Sequence, residues 1–308
     1  MAVASLMQLF RETDERFLSI FMTEWAVAEN EVAPLVRERD LQGRDHDRYA
    51  ERYLGTATAP IAGEGQPFTY ISPNEGKSVE ILTDIYQFGM KVTEEMRDFG
   101  RGGWNEYPSM MVDVYNHTKV VMVANLLNRA FNSSYPTLYD AKELCATDHP
   151  LAGGGTASNE LATAADLSEA TVEAMIELMQ RTPNEDGVLI NRYRPTLLIT
   201  SPSTWGTNVR LTQSQFTTDV SSNRGDNTVN AITSVYGLQT FTHPYLQDAD
   251  ASFILDSART PLEVIYARRP TLYPGYIEQG TRNWVWTSKM QLAVKATGWR
   301  GIVGTAGA

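Results

Sequence analysis

At 308 residues the chain is long enough for about two domains and a substantial core, and its 42% hydrophobic and 20% charged residues exclude a disordered or collagen-like polymer. A net charge of -11, from 26 basic and 37 acidic side chains, repels nucleic acid and anionic membranes and argues against tight sequence-independent DNA binding. The single cysteine, Cys145, leaves no intrachain disulfide; no basic region precedes Arg11-Glu-Thr-Asp-Glu-Arg16 and no apolar run spans a bilayer, so a soluble protein made inside the cell, without a signal peptide, is expected.

Ser5-Leu-Met-Gln8 has the form of a capping box, and Leu6, Phe10, Phe17, Phe21 and Trp25 recur at helical spacing, which predicts an aromatic-faced helix to about Asn30. From Val32 to Leu54 Arg alternates with Asp and Glu, as in Arg37-Glu-Arg-Asp40 and Arg44-Asp-His-Asp-Arg48, with few large apolar residues. That predicts a solvated or partner-bound arm. Between Gly55 and Gly76 seven residues are Gly or Pro, while Phe68-Thr-Tyr70 alternates like a strand: an extended loop, too long for a turn. A long strand begins near Val79, with Leu82, Tyr86, Phe88, Met90 and Val92 on one face, and Thr93 to Gly100 reads as a short helix with acids in its first turn.

Asn105-Glu-Tyr-Pro108 opens what reads as the longest helix, roughly 25 residues and on the order of 37 Å, ended by Asn132-Ser-Ser-Tyr-Pro136. Beyond it the pattern becomes α/β. Asp166 or Ser168 caps a helix with a buried stripe of Val172, Met175, Ile176 and Met179, Arg194 to Thr200 is a short buried strand, and Ser201-Pro202 caps a helix to about Leu211. A polar loop covers Ser214 to Thr228, and strands are predicted at Gly237–Thr242, Ala251–Leu255 and Leu262–Tyr266. A long tail strand carries Trp284, Trp286, Met290, Leu292 and Val294 on one face.

Charge is segregated: Asp140 to Val188 holds ten acids against Lys142 and Arg181, whereas Ser257 to the end holds seven bases against two acids. Opposite poles suit contacts between copies, and a solvated acidic helix beside a basic strand would look the same. Cys145-Ala-Thr-Asp-His149 is the one crowding of thiol, carboxylate and imidazole, but its acidic setting favours a packing cysteine over a hydrolase nucleophile. His46, His117 and His243 are scattered without metal-ligand spacing, and Gly153-Gly-Gly-Thr lacks the rest of a phosphate loop. No catalytic, cofactor-binding or metal residue is assigned, and a non-enzymatic protein without cofactor is expected.

The order of elements resembles the major capsid proteins of tailed phages, the Hong Kong 97-type fold, and is most similar to the Mu-like branch. Ala146-Thr-Asp-His-Pro150 followed by Ser158-Asn159, Leu197-Leu-Ile-Thr-Ser-Pro202, and Gly237-Leu-Gln-Thr-Phe-Thr-His-Pro244 are the less specific motifs that accompany it. The resemblance implies an α+β fold with an N-terminal helix and arm (1–54) and an extended loop (55–77). It further implies a peripheral domain with a long spine helix (78–139 and 276–308) and an axial α/β domain (140–275). It implies hexamers and pentamers closing an icosahedral shell around double-stranded DNA in the virion, assembled in the host cytoplasm and contacting that DNA weakly. The implied partners are further copies, a portal, a separate scaffolding protein because only residues 1–54 precede the loop, and optionally a decoration protein. Phe10, Phe17, Phe21 and Trp25, outside any evident domain core, together with Phe68 and Tyr70, are the candidate inter-subunit contacts. An encapsulin-type nanocompartment is the alternative. Some relatives staple their shells by Lys-Asn isopeptide bonds; Lys77, Asn283 and Glu278 are the matching groups here, but a lone exposed Lys is ordinarily solvated, so non-covalent shells are expected.

Overall fold

The computed structural model describes residues 3–27, 31–54, 61, 63–68, 70, 73–99, 104–189, 193–214 and 230–308. Most of the loop expected over 214–228, the Gly55–Pro60 start of the extended loop and the Gly100 helix stop lie outside the described residues. In chain order the elements are α1 (Val3–Val27), β1 (Arg37–Asp40), β2 (His46–Leu54), β3 (Pro73–Leu82), β4 (Asp84–Val92), α2 (Glu94–Asp98) and α3 (Tyr107–Asn128). There follow β5 (His149–Pro150), β6 (Thr156–Ala157), α4 (Glu169–Gln180), β7 (Leu197–Thr200), α5 (Trp205–Gln213), β8 (Gln239–Thr242) and β9 (Ser252–Leu255). The chain continues through β10 (Leu262–Leu272), β11 (Tyr276–Ile277), β12 (Trp284–Ala296) and β13 (Ile302–Thr305).

α1 begins two residues before Ser5, the expected start, and its 25 residues exceed the 22 of α3, the helix expected to be longest. Its aromatic face is real but faces inward. Phe17 and Phe21 are fully buried and Phe10 nearly so. Phe10 meets Trp284 edge-on at 5.0 Å, and Phe17 lies 4.7 Å from Trp286 and 5.7 Å from Trp104, measured between ring centroids. Trp25 is partly buried, with the Lys119 ammonium 5.8 Å from its ring centre. The expectation that Phe10, Phe17 and Phe21 form a surface for another subunit is corrected accordingly, because their apolar area is already removed from water by β12, α3 and the segment before α3, while Trp25 stays partly open.

The charged segment after α1 is likewise not a loose arm. β1 runs parallel to β10 with Glu38 opposite Val264, and β10 pairs antiparallel with β12, which also pairs with β4 and β11. The alternation Arg37-Glu38-Arg39-Asp40 is a strand with period two, and the charges of Glu38, Arg39 and Asp40 are all met. Glu38 takes the Lys119 ammonium at 3.3 Å, Arg269 grips Asp40 through two nitrogens at 2.9 Å each, and Arg39 holds Asp47 at 2.6 Å and Glu263 at 3.2 Å. Burial pushes the Lys119 pKa down while Glu38 pulls it back up. Truncating Lys119 to Ala is expected to cost about 2 kcal/mol in urea unfolding, below the roughly 3–5 kcal/mol of a fully orphaned buried charge, because Glu38 keeps Arg269. A Lys119→Met chain, which retains the packing, should recover part of that loss.

β2 and β3 form a two-stranded antiparallel ribbon, with His46 opposite Leu82 and Leu54 opposite Pro73, that carries the extended loop. The single long strand expected from Val79 onward is thus two strands, β3 and β4, and Leu82 at their junction is exposed. Tyr86, Phe88, Met90 and Val92 do share the inward face, Phe88 lying 4.9 Å from Tyr115 of α3. Tyr115 in turn shares a 2.8 Å hydrogen bond with Ser288 of β12.

A second sheet has the order β13-β9-β7-β8, antiparallel except for the β7/β8 pair. α4 covers it with Val172, Met175, Ile176 and Met179, all buried as expected, and Ser168 caps the helix by accepting the Thr171 amide at 3.2 Å. Gly304 of β13 has no room for a side chain: a Cβ would lie 2.7 Å from Phe253 and 2.9 Å from Phe131, whose rings stack beside it. The sheets do not divide at residue 276. β10, placed in sequence with the axial residues, belongs to the sheet of β12, and β13, placed with the peripheral residues, belongs to the sheet of β7 and β9.

Candidate functional site

Asn159 is fully buried, and the structure uses both ends of its amide. Its Nδ2 donates toward the carbonyls of Leu144 (2.9 Å), Trp299 (3.1 Å) and Ile302 (3.2 Å), while its Oδ1 accepts from the Ala146 amide (2.9 Å) and His149 Nε2 (3.0 Å). His149 Nδ1 bonds Asp140 at 2.7 Å, and the ring stacks on Trp299 with 4.7 Å between centroids. Both imidazole nitrogens are therefore committed to acceptors. Cys145, fully buried in the same place, has its thiol pKa raised by burial and by the charges of Glu160 and Glu143, the reverse of what activates a nucleophile. This cluster ties residues 140–159 to the turn before β13; it offers no base to the cysteine. Among the described residues no group of three His, Cys, Asp or Glu is placed to hold a metal ion, and no helix is long and apolar enough to cross a membrane.

On the loop carried by the β2–β3 ribbon, the structure places the other two contact candidates on the outside. Phe68 is 86% and Tyr70 92% exposed, and Ile61, which the sequence did not single out, is entirely exposed.

Lys77 is exposed on β3, and the lysine paired with Glu278, the carboxylate beside Asn283, is Lys91. Asn283 Nδ2 donates to Glu278 at 3.3 Å, and Glu278 pairs with Lys91 at 2.5 Å. The Lys91 bond, with help from Thr281 and Asn283, holds the Glu278 carboxyl down to about 2, which makes it a weak base for the proton transfer that isopeptide chemistry requires.

His243, in the motif Gly237–Pro244, is buried against Phe241 and Tyr245, with no partner for its Nε2 among the described residues. Burial lowers its pKa from 6.5 to about 4. Between those values the unfolded chain binds the proton and the folded chain does not, so stability is full above pH 6.5 and falls as pH drops toward 4. The expected loss is up to about 3 kcal/mol across that window. Urea unfolding of the unassembled chain at several pH values measures it, and a His243→Gln chain should show a flatter profile.

Comparison with known proteins follows the same outline. The fold matches the capsid of Ralstonia phage GP4 with a TM-score of 0.56 at 11% identity, over 90% of this chain and 88% of that one. It matches the procapsid of bacteriophage JBD30 with a TM-score of 0.54 at 12% identity, over 99% and 76%. The virus-like particle from Pyrococcus furiosus matches with a TM-score of 0.52 at 9% identity, over 94% and 98%. No curated protein sequence matches. The architecture is the Hong Kong 97-type α+β capsid fold. A family model described as phage capsid protein matches residues 76–305, and the chain belongs to that family.

Proposed function

We propose that this chain is the major head protein of a tailed bacteriophage, in the Mu-like branch, and that it assembles as hexamers and pentamers into an icosahedral shell enclosing double-stranded DNA. The observation that carries the reading is the family match from residue 76 to 305, which runs from within β3 to the end of β13. In this reading the sheet of β12 with α3 is the peripheral unit, the sheet of β7 and β9 with α4 is the axial unit, and the loop bearing Phe68 and Tyr70 lies over a neighbouring copy. The role of the chain is structural rather than catalytic; a separate scaffolding protein and a portal are its partners, and the wall contacts packaged DNA only weakly because the chain is acidic.

The likeness to the Pyrococcus furiosus particle, nearly end to end in both chains, favours one second reading: a nanocompartment shell without a genome. Electron microscopy of purified protein, with scaffold supplied, tests the shell: closed particles are expected, and a strictly monomeric protein under all conditions refutes it. Particles with one portal vertex and double-stranded DNA favour the phage head, and particles filled with protein favour the compartment. Denaturing electrophoresis of mature particles should give monomers, since Glu278 is already engaged by the Lys91 ammonium and the Asn283 amide.

A further inference from the structure

Between the end of α3, the start of β4 and the last residues of β12, a cleft of about 410 Å3 opens to solvent. Arg129, which directly follows α3, and Lys295 of β12 line it, both exposed, against a single carboxylate, Asp84. Neither base makes an ion pair or a side-chain hydrogen bond among the described residues; the Arg129 guanidinium sits 4.5 Å from the centre of the Tyr135 ring. Leu82 and Tyr135, in the same lining, are 66% and 45% exposed. Unmatched positive charge beside bare apolar surface is complementary to a segment that carries a carboxylate among aliphatic side chains.

The turn after α4 has that composition. Asp186 is exposed and makes no ion pair among the described residues, and Val188 and Leu189 beside it are 43% and 62% exposed. The turn is also held in shape. Asn184 Oδ1 accepts the amides of Asp186 at 3.0 Å and Val188 at 2.8 Å, the Asn184 amide donates to the Val188 carbonyl at 2.8 Å, and Pro183 bridges to Leu189. Gly187 supplies the left-handed φ of 78° that the reversal needs. We propose that this turn of a second copy seats in the cleft, with Asp186 at Arg129 and Lys295 and with Val188 and Leu189 against Leu82 and Tyr135. Because the turn is ordered beforehand, little conformational freedom is lost on docking. Single exposed ion pairs are weak and screened by salt, so the two aliphatic side chains supply the part of the contact that salt leaves intact. Turn and cleft lie on different elements of one chain, so the contact is head-to-tail, the kind that closes rings of copies. The loop that bears Ile61, Glu64 and Phe68 also sets an acid among apolar groups; the turn is favoured over it because its three side chains are already fixed in place.

The proposal rests on the shell reading, and the test separates the two. Self-association is followed by sedimentation velocity at low and high salt for the full chain, for Arg129→Glu/Lys295→Glu, and for that pair combined with Asp186→Arg. Val188→Ser/Leu189→Ser is measured beside them, and circular dichroism confirms that each is folded. The charge reversal is expected to weaken association about tenfold at low salt and little at high salt, and adding Asp186→Arg to restore most of the loss. The serine pair should weaken association at both salt concentrations. Should the reversal fail to fold, Asp186→Arg alone, on the far side of the contact, is expected to give the same salt-dependent loss. A wild-type chain that never associates overturns the shell reading and the docking with it. A wild-type chain that assembles, with a folded reversal or a serine pair that assembles equally well, overturns the docking alone. So does rescue of the reversal by Glu64→Arg and not by Asp186→Arg, which would assign the cleft to the loop.

Discussion

Replacing Trp286 by Ala is expected to cost about 3–5 kcal/mol and to loosen α1 before anything else. The indole is fully buried on the central strand β12, 4.7 Å from Phe17 and 5.8 Å from Phe10. Its Nε1 donates to Asp14 at 2.8 Å, and Asp14 also takes the Gly275 amide at 2.7 Å, so one helical carboxylate is fastened to two points of the sheet. Gly275 passes so close over the ring that any Cβ there would collide with it. Truncation therefore opens a cavity under α1 and removes a donor from Asp14 together. Urea unfolding gives the energy, and amide exchange along residues 3–27 shows where protection is lost first. Trp205, which is 60% exposed, is the control, and its truncation should stay within about 0.5 kcal/mol. A Trp286→Ala chain with the wild-type midpoint would show that α1 does not belong to the subunit core. By the same packing, removing residues 3–27 should destabilise the sheet itself rather than merely unlink one subunit from another.

Asn159→Ala is expected to be nearly as damaging, at about 3–5 kcal/mol, although it removes little apolar surface. The loss leaves the carbonyls of Leu144, Trp299 and Ile302 without their shared donor and the Ala146 amide and His149 Nε2 without their acceptor, all in a buried place. Asn159→Asp should fare no better, because a carboxylate cannot donate and would face three carbonyl oxygens. His149→Phe, which keeps the stack on Trp299, is expected to cost less than either. Calorimetry of the three variants, read in that order, checks the account, and an Asn159→Asp chain as stable as the wild type would refute it.

The parts of this fold that were legible in the sequence are those whose environment is set by near neighbours. The stripe Val172, Met175, Ile176, Met179 and the alternation Trp284 to Val294 each announce a buried face, and each is buried, while Ser168 caps α4 as its position suggests. Amphipathicity says that a face is covered, however, and not by what: the face of Phe10, Phe17 and Phe21 was legible, while its partner, 260 or more residues away on β12, was not. The charges of β1 mislead for the same reason. Glu38 and Asp40 look solvated until Lys119 and Arg269 are brought to them. β13 is four residues with a glycine inside, too short for a periodic signal, and the role of Asn159 depends on carbonyls contributed from both ends of the second sheet's sequence. Among the contact candidates, Phe68 and Tyr70 are the exposed pair.

The position of β12 has a consequence for how the protein comes to be made. It pairs with β4, β10 and β11 and lies later in the sequence than all three. While the chain is being translated, the edges of those strands that β12 joins, and the part of the α1 face that Trp284 and Trp286 cover, stay open until β12 has emerged. The first sheet is thus completed after synthesis of its other parts, through contacts of high sequence separation, which makes the nascent chain slow to close and dependent on being kept from its neighbours meanwhile.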